Sequence, residues 1–167
     1  GSSAATYTKP FVLETRDILH KLKETTCIPP KVLIDPGRIS PKEMIINVTL
    51  SGENLRVLTR FTTQNWLPKD AKIIITFPHD VKKLSILRVE GITGEVALSL
   101  SDSNRAATLV RTNATLVNGK TDVVIEFGDL YYPATEKGMH TITTTDRRGR
   151  IIDESGPFQA LRMLKGV

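Results

Sequence analysis

Cysteine is almost absent from this 167-residue chain. Cys27 stands alone, so no internal disulfide can form and no disulfide framework argues for secretion. It is either a buried thiol or a partner for a region beyond this chain. Histidine is also sparse. His20, His79 and His140 show no metal-ligand spacing, so no metal site is expected. No apolar run approaches the roughly 20 residues of a membrane helix, which excludes direct insertion by that route. Phosphate-cradling signatures of the P-loop or dinucleotide-binding kind are missing, and no cofactor is expected. No signal peptide is visible, which does not argue for the cytoplasm.

Charge of one sign is nowhere dominant. The formal net charge is +5, but Lys and Arg alternate with Asp and Glu along most of the chain, as on a solvated face. The exceptions are Lys82-Lys83 and Arg147-Arg148-Gly149-Arg150. Each is short enough to be a turn. Arg147, Arg148 and Arg150 are candidates for binding a phosphate or sulfate, and no nucleic acid partner is expected.

Candidate chemistry fails on geometry. His79-Asp80 pairs a base with a carboxylate, but adjacent turn residues rarely align for catalysis, so a solvated turn is the better reading. Asp153-Glu154-Ser155-Gly156-Pro157 looks faintly like a protease nucleophile loop, yet lacks a matching upstream His and the oxyanion glycines. Asp146, Asp153 and Glu154 flank a tight turn and offer oxygen ligands to calcium. Three arginines beside them would repel a cation, and a charged hairpin tip is the simpler account. The chain therefore reads as no enzyme.

What the sequence has is β-strand grammar. Residues 1–10 read as a tag remnant and flexible lead, and 11–30 as a helical segment. In the latter, Glu14 to Thr25 puts Ile18, Leu19 and Leu22 on one stripe before Pro29-Pro30 stops the helix. From Lys31 the period becomes two. Strands are expected over Lys31–Asp35, Glu43–Ser51, Leu55–Thr63, Ile73–Phe77, Lys83–Glu90, Glu95–Ser101 and Ala107–Thr112. The Ile73–Phe77 strand is apolar on both faces, which predicts a central strand covered on both sides. Asn118-Gly119 predicts a hairpin joining Ala114–Val117 to Thr121–Phe127, followed by a loop from Gly128 to Gly138. Met139–Asp146 and Arg150–Asp153 form a further hairpin, and Phe158–Leu164 is a strand or a short helix. Regular strand spacing predicts an all-β, antiparallel, immunoglobulin-like β-sandwich of about 8–10 strands over residues 31–167, with one short N-terminal helix.

Two sequons, Asn47-Val48-Thr49 and Asn113-Ala114-Thr115, are candidate glycosylation sites. Trp66, Tyr131 and Tyr132 are the aromatic residues expected in loops, and they are the candidates for stacking on a sugar ring. Trp66 beside Leu67-Pro68 reads more readily as a core plug at the end of the sandwich.

Four stretches together carry a resemblance. These are INVTLS (Ile46 to Ser51), TRFTTQN (Thr59 to Asn65), LPKDAKIIITFP (Leu67 to Pro78) and MHTITTTDRRGRIIDES (Met139 to Ser155). In order and spacing, over about Ser40 to Ser155, the chain resembles a β-sandwich repeat of very large surface and secreted proteins of protists, ciliates and algae among them. Tyr131-Tyr132-Pro133 departs from that pattern, where an Asn-Pro is more usual, and the N-terminal helix lies outside it. The resemblance implies a non-catalytic structural or adhesive module, extracellular or at the cell surface, with neighbouring modules in the same chain. The partner would be a protein or a glycan. The alternatives are a carbohydrate-binding module using the loop aromatics and an intracellular protein-interaction domain.

Overall fold

The computed structural model describes residues 35–48, 55–131 and 137–164. The Glu14–Thr25 helix, Cys27, most of the Lys31–Asp35 strand, Thr49 of the first sequon and Tyr132 lie outside the described residues. Twelve strands are described: β1 (Gly37–Arg38), β2 (Lys42–Val48), β3 (Leu55–Thr62), β4 (Lys72–Thr76), β5 (Ser85–Glu90), β6 (Glu95–Leu100), β7 (Ala106–Thr112), β8 (Asp122–Leu130), β9 (Met139–Thr145), β10 (Ile151–Glu154), β11 (Phe158–Gln159) and β12 (Leu161–Leu164). The tail that period could not assign is thus two short strands.

These strands form two sheets. One runs β1-β10-β9-β4-β7-β6, with β11 also pairing β9, and the other runs β12-β2-β3-β8-β5. All pairings are antiparallel except β1 with β10 and β12 with β2. Those two parallel pairs set β1 and β2, early in the described chain, beside β10 and β12, late in it. The architecture is an immunoglobulin-like β-sandwich. Its core interleaves Met44, Ile46, Val57, Phe61, Ile125 and Phe127 of one sheet with Ile73, Ile75, Leu109 and Ile142 of the other. Alternation alone selects these residues, because side chains of a strand point to opposite faces in turn.

Two expectations are corrected. β4 is central, between β9 and β7, but it is covered on one face only. Ile73 and Ile75 are buried, while Lys72, Ile74 and Thr76 are half-buried on the outer face. Asn118-Gly119 closes no hairpin, and Ala114–Val117 is not a strand of either sheet. Val117 instead exchanges backbone hydrogen bonds with Leu67, at 2.8 and 3.0 Å. Thr121 donates from its backbone N–H to the Thr63 hydroxyl at 3.0 Å. The positive φ falls on Lys120, at 63°. Residues 113–121 therefore carry the chain from one sheet to the other, and a two-residue turn cannot span that gap. β8 then runs on to Leu130 through what the sequence marks as loop.

Candidate interaction site

One end of the sandwich gathers several of the residues singled out in the sequence, Trp66, Asn113 and Arg147 among them. Thr63, Asn65 and Leu67 are buried in alternation, which turns Trp66 outward. Trp66 is 49% exposed, and Leu67, fully buried, plugs the end in its place. Leu67 packs with Ala71, Val117 and Ile152 in a small cluster of its own. The Leu67–Val117 bridge sets Trp66 and Leu116, also 49% exposed, on its outer side.

A buried carboxylate holds this loop. Asp153 has no exposed surface. Its Oδ2 accepts the backbone N–H groups of Gln64 at 2.8 Å and Asn65 at 3.0 Å, and its Oδ1 accepts the Asn65 side-chain amide at 2.9 Å. The Asp153 N–H in turn donates to the Thr144 hydroxyl at 3.0 Å. Three donors on one carboxylate compensate its loss of water. Gly37 lies against the same group, since a Cβ there would stand 2.3 Å from Asp153 Oδ1.

Arg111 fastens the remaining loops. Its buried guanidinium donates to the carbonyl oxygens of Pro68, Thr93 and Thr115. It thereby ties residues 66–70, 91–94 and 113–117 to the end of β7. Burial lowers its pKa, and the nearby Asp70 carboxylate opposes that shift. An arginine stays charged under such a shift, so the guanidinium supplies several charge-assisted bonds to neutral carbonyls.

The basic hairpin tip borders this end. Asp146 accepts the backbone N–H groups of Arg148 at 2.8 Å and Arg150 at 2.9 Å, and the Arg150 Nε–H at 2.7 Å. Burial raises the Asp146 pKa, but these bonds outweigh it and the net shift is downward. Arg147 approaches Asp70 at 4.0 Å. Two of the three candidate anion-binding arginines thus face carboxylates, and Arg148 is exposed at the tip. Asp153 and Asp146 point into hydrogen-bond networks of the protein itself, and no cluster of metal-ligating side chains occurs among the described residues.

The structure does not bring Trp66 and Tyr131 together. β8 starts at the Trp66 end, beside Thr62, and finishes at Leu130, and Tyr131 follows at the far end. There Lys82 Nζ sits 4.8 Å from the Tyr131 ring centroid, a cation–π contact. Asn113 is exposed at the Trp66 end with φ at 51°. Asn47 is half-buried on the outer face of β2. Leu116 escaped sequence reasoning because it was assigned to a strand. Only its place opposite Pro68 across the bridge reveals it.

No protein-family model matches the chain, and no curated protein matches it. Several solved structures are similar at low identity, two of them as follows. A non-cellulosomal cohesin from the hyperthermophilic archaeon Archaeoglobus fulgidus has 12% identity, covering 72% of this chain and 91% of that one, with a TM-score of 0.35. A protein from Nocardia farcinica with an immunoglobulin-like fold has 14% identity, covering 65% of this chain and 81% of that one, with a TM-score of 0.38.

Proposed function

We propose that the chain is a non-catalytic structural and adhesive module of an extracellular or cell-surface protein, and that it contacts a protein partner through the Trp66 end. The observation that carries this reading is the half-exposed indole on a loop clamped from beneath by Asp153 and Arg111. A rigid, exposed aromatic loses little entropy on binding and presents a large apolar area, which is the chemistry of an interface anchor. Leu116 adds apolar surface to the same side. The resemblance to repeat modules of protist surface proteins and the exposed Asn113 sequon support the placement outside the cell.

The rival reading is carbohydrate binding. Of the two described aromatic candidates, Trp66 is the stacking platform at this end, since Tyr131 is at the other. Expression through a eukaryotic secretory route, followed by mass spectrometry of Asn47 and Asn113, tests the location. The expected result is folded protein with Asn113 glycosylated. Trp fluorescence titrated with neutral and sulfated polysaccharides is expected to stay flat. A saturable quench that W66A abolishes would decide for the carbohydrate reading instead.

A further inference from the structure

The sandwich is open along the margin formed by β5 and β6. Ile86 and Val89 of β5, Ile92 of the connecting turn, and Val96, Leu98 and Leu100 of β6 pack on the core but remain half-buried. β6 is an outer strand of its sheet, with no partner beyond it among the described residues.

Natural edge strands carry devices that block pairing, such as charge, bulges and short length. The other described strands with a single partner have them. β1 and β11 are two residues long each, and β12 is four residues long with Arg162 in it. β5 holds Arg88 and Glu90 and a register shift between Ile86 and Arg88. β6 has none of these beyond Glu95 at its start. Its six residues pair with β7 in unbroken register.

The free hydrogen-bonding groups can be assigned. Ser101 donates its N–H to the Ala106 carbonyl at 2.9 Å, back toward β7. Alternation in an antiparallel ladder then directs the backbone groups of Ala97 and Ser99 to β7, and those of Val96, Leu98 and Leu100 outward.

We propose that β6 pairs antiparallel with β6 of a second copy of this chain, across a two-fold axis at Leu98. In that register Leu98 faces its own equivalent and Val96 faces Leu100, giving roughly six backbone hydrogen bonds. Ala97 faces Ser99, two small side chains where strands approach most closely. The two Glu95 carboxylates lie at opposite ends, on the order of 20 Å apart, beyond the screening length of about 8 Å. Parallel pairing would set them side by side. The two open margins would also cover each other's half-buried Val and Leu side chains.

The test is sedimentation velocity of the full chain over a concentration series, with hydrogen exchange read at the amides of Val96, Leu98 and Leu100. The proposal expects a monomer–dimer equilibrium and protection of those three amides that fades on dilution. The exposed double substitution A97K/S99K is expected to weaken association roughly tenfold or more, as edge lysines do in natural sheets. A monomer at every concentration would overturn the proposal. Protection independent of concentration would also overturn it, because a segment of the same chain would then cover the edge. A dimer that A97K/S99K leaves intact would assign the interface elsewhere. If that variant fails to fold, the concentration dependence of exchange in the unmodified chain decides alone.

Discussion

Asp153 grips Asn65 twice, accepting its backbone N–H on one oxygen at 3.0 Å and its side-chain amide on the other at 2.9 Å. The two residues are 88 positions apart. This clamp joins β10 to the loop that displays Trp66, so the exposure of that indole depends on a residue with no exposed surface of its own.

Removing the acceptor strands three donors, two of them buried. D153A is expected to lose about 3–5 kcal/mol of stability. D153N keeps the shape but turns an amide N–H toward a donor, and is expected to lose about 2 kcal/mol. Urea unfolding of both variants beside the parent chain measures these losses.

G37A attacks the same clamp sterically. Its new methyl group would meet Asp153 Oδ1 at 2.3 Å, Asn65 Nδ2 at 2.6 Å and Gln64 Cβ at 2.8 Å. A loss of about 2–3 kcal/mol is expected from the forced shift. In the D153A background the cost is expected to shrink, which a double-mutant cycle reads directly.

Trp66 and Leu67 are neighbours with opposite roles. W66A is expected to change stability by about 0.5 kcal/mol or less, as for an exposed site, while removing partner binding. L67A empties a fully buried position and is expected to cost about 3 kcal/mol. Thermal melts of the two variants separate display from packing.

Arg111 holds three loops chiefly through the carbonyl oxygens of Pro68, Thr93 and Thr115. R111M fills the space but leaves those oxygens unpaired, with an expected loss of about 2 kcal/mol. Amide exchange in residues 91–94 and 113–117 is expected to accelerate, while β2 and β3 in the opposite sheet stay protected.

His140 makes the fold acid-sensitive. Its ring lies 5.8 Å from Phe77 and 6.4 Å from Phe158, centroid to centroid. Burial first, then the charges of His79 and Arg162, push its pKa down to about 4, against a backbone hydrogen bond at Phe158. The folded state therefore binds fewer protons than the unfolded chain between about pH 6.5 and 4. Stability is fully present above pH 6.5 and falls as pH drops through that window, by about 2–3 kcal/mol. H140Q is expected to flatten this slope in denaturant melts run from pH 7 to 4.

Period two made most of the sandwich legible. Val57, Thr59 and Phe61 face inward as their alternation requires, and Ile73 and Ile75 mark the central strand. Asn118-Gly119 misled, because its turn chemistry is local while the course of residues 113–121 is decided by Leu67 and Thr63 far upstream. Asp153 misled for the same reason. Beside Arg147, Arg148 and Arg150 it reads as a hairpin-tip acid, and nothing near it in sequence announces the Asn65 amides that take it into the core. Trp66 reads as a plug from its place beside Leu67-Pro68. The alternation that buries Asn65 and Leu67 decides otherwise.

The parallel pairing of β12 with β2 has a mechanical consequence. Leu161 to Leu164 run beside Ile45 to Val48 in the same direction. Tension applied upstream of β2 and downstream of β12 pulls these strands in opposite senses along their shared axis. The load then falls on all their cross-strand bonds together rather than peeling them one by one. The β12–β2 pair therefore resists being sheared apart by a pull in line with the chain.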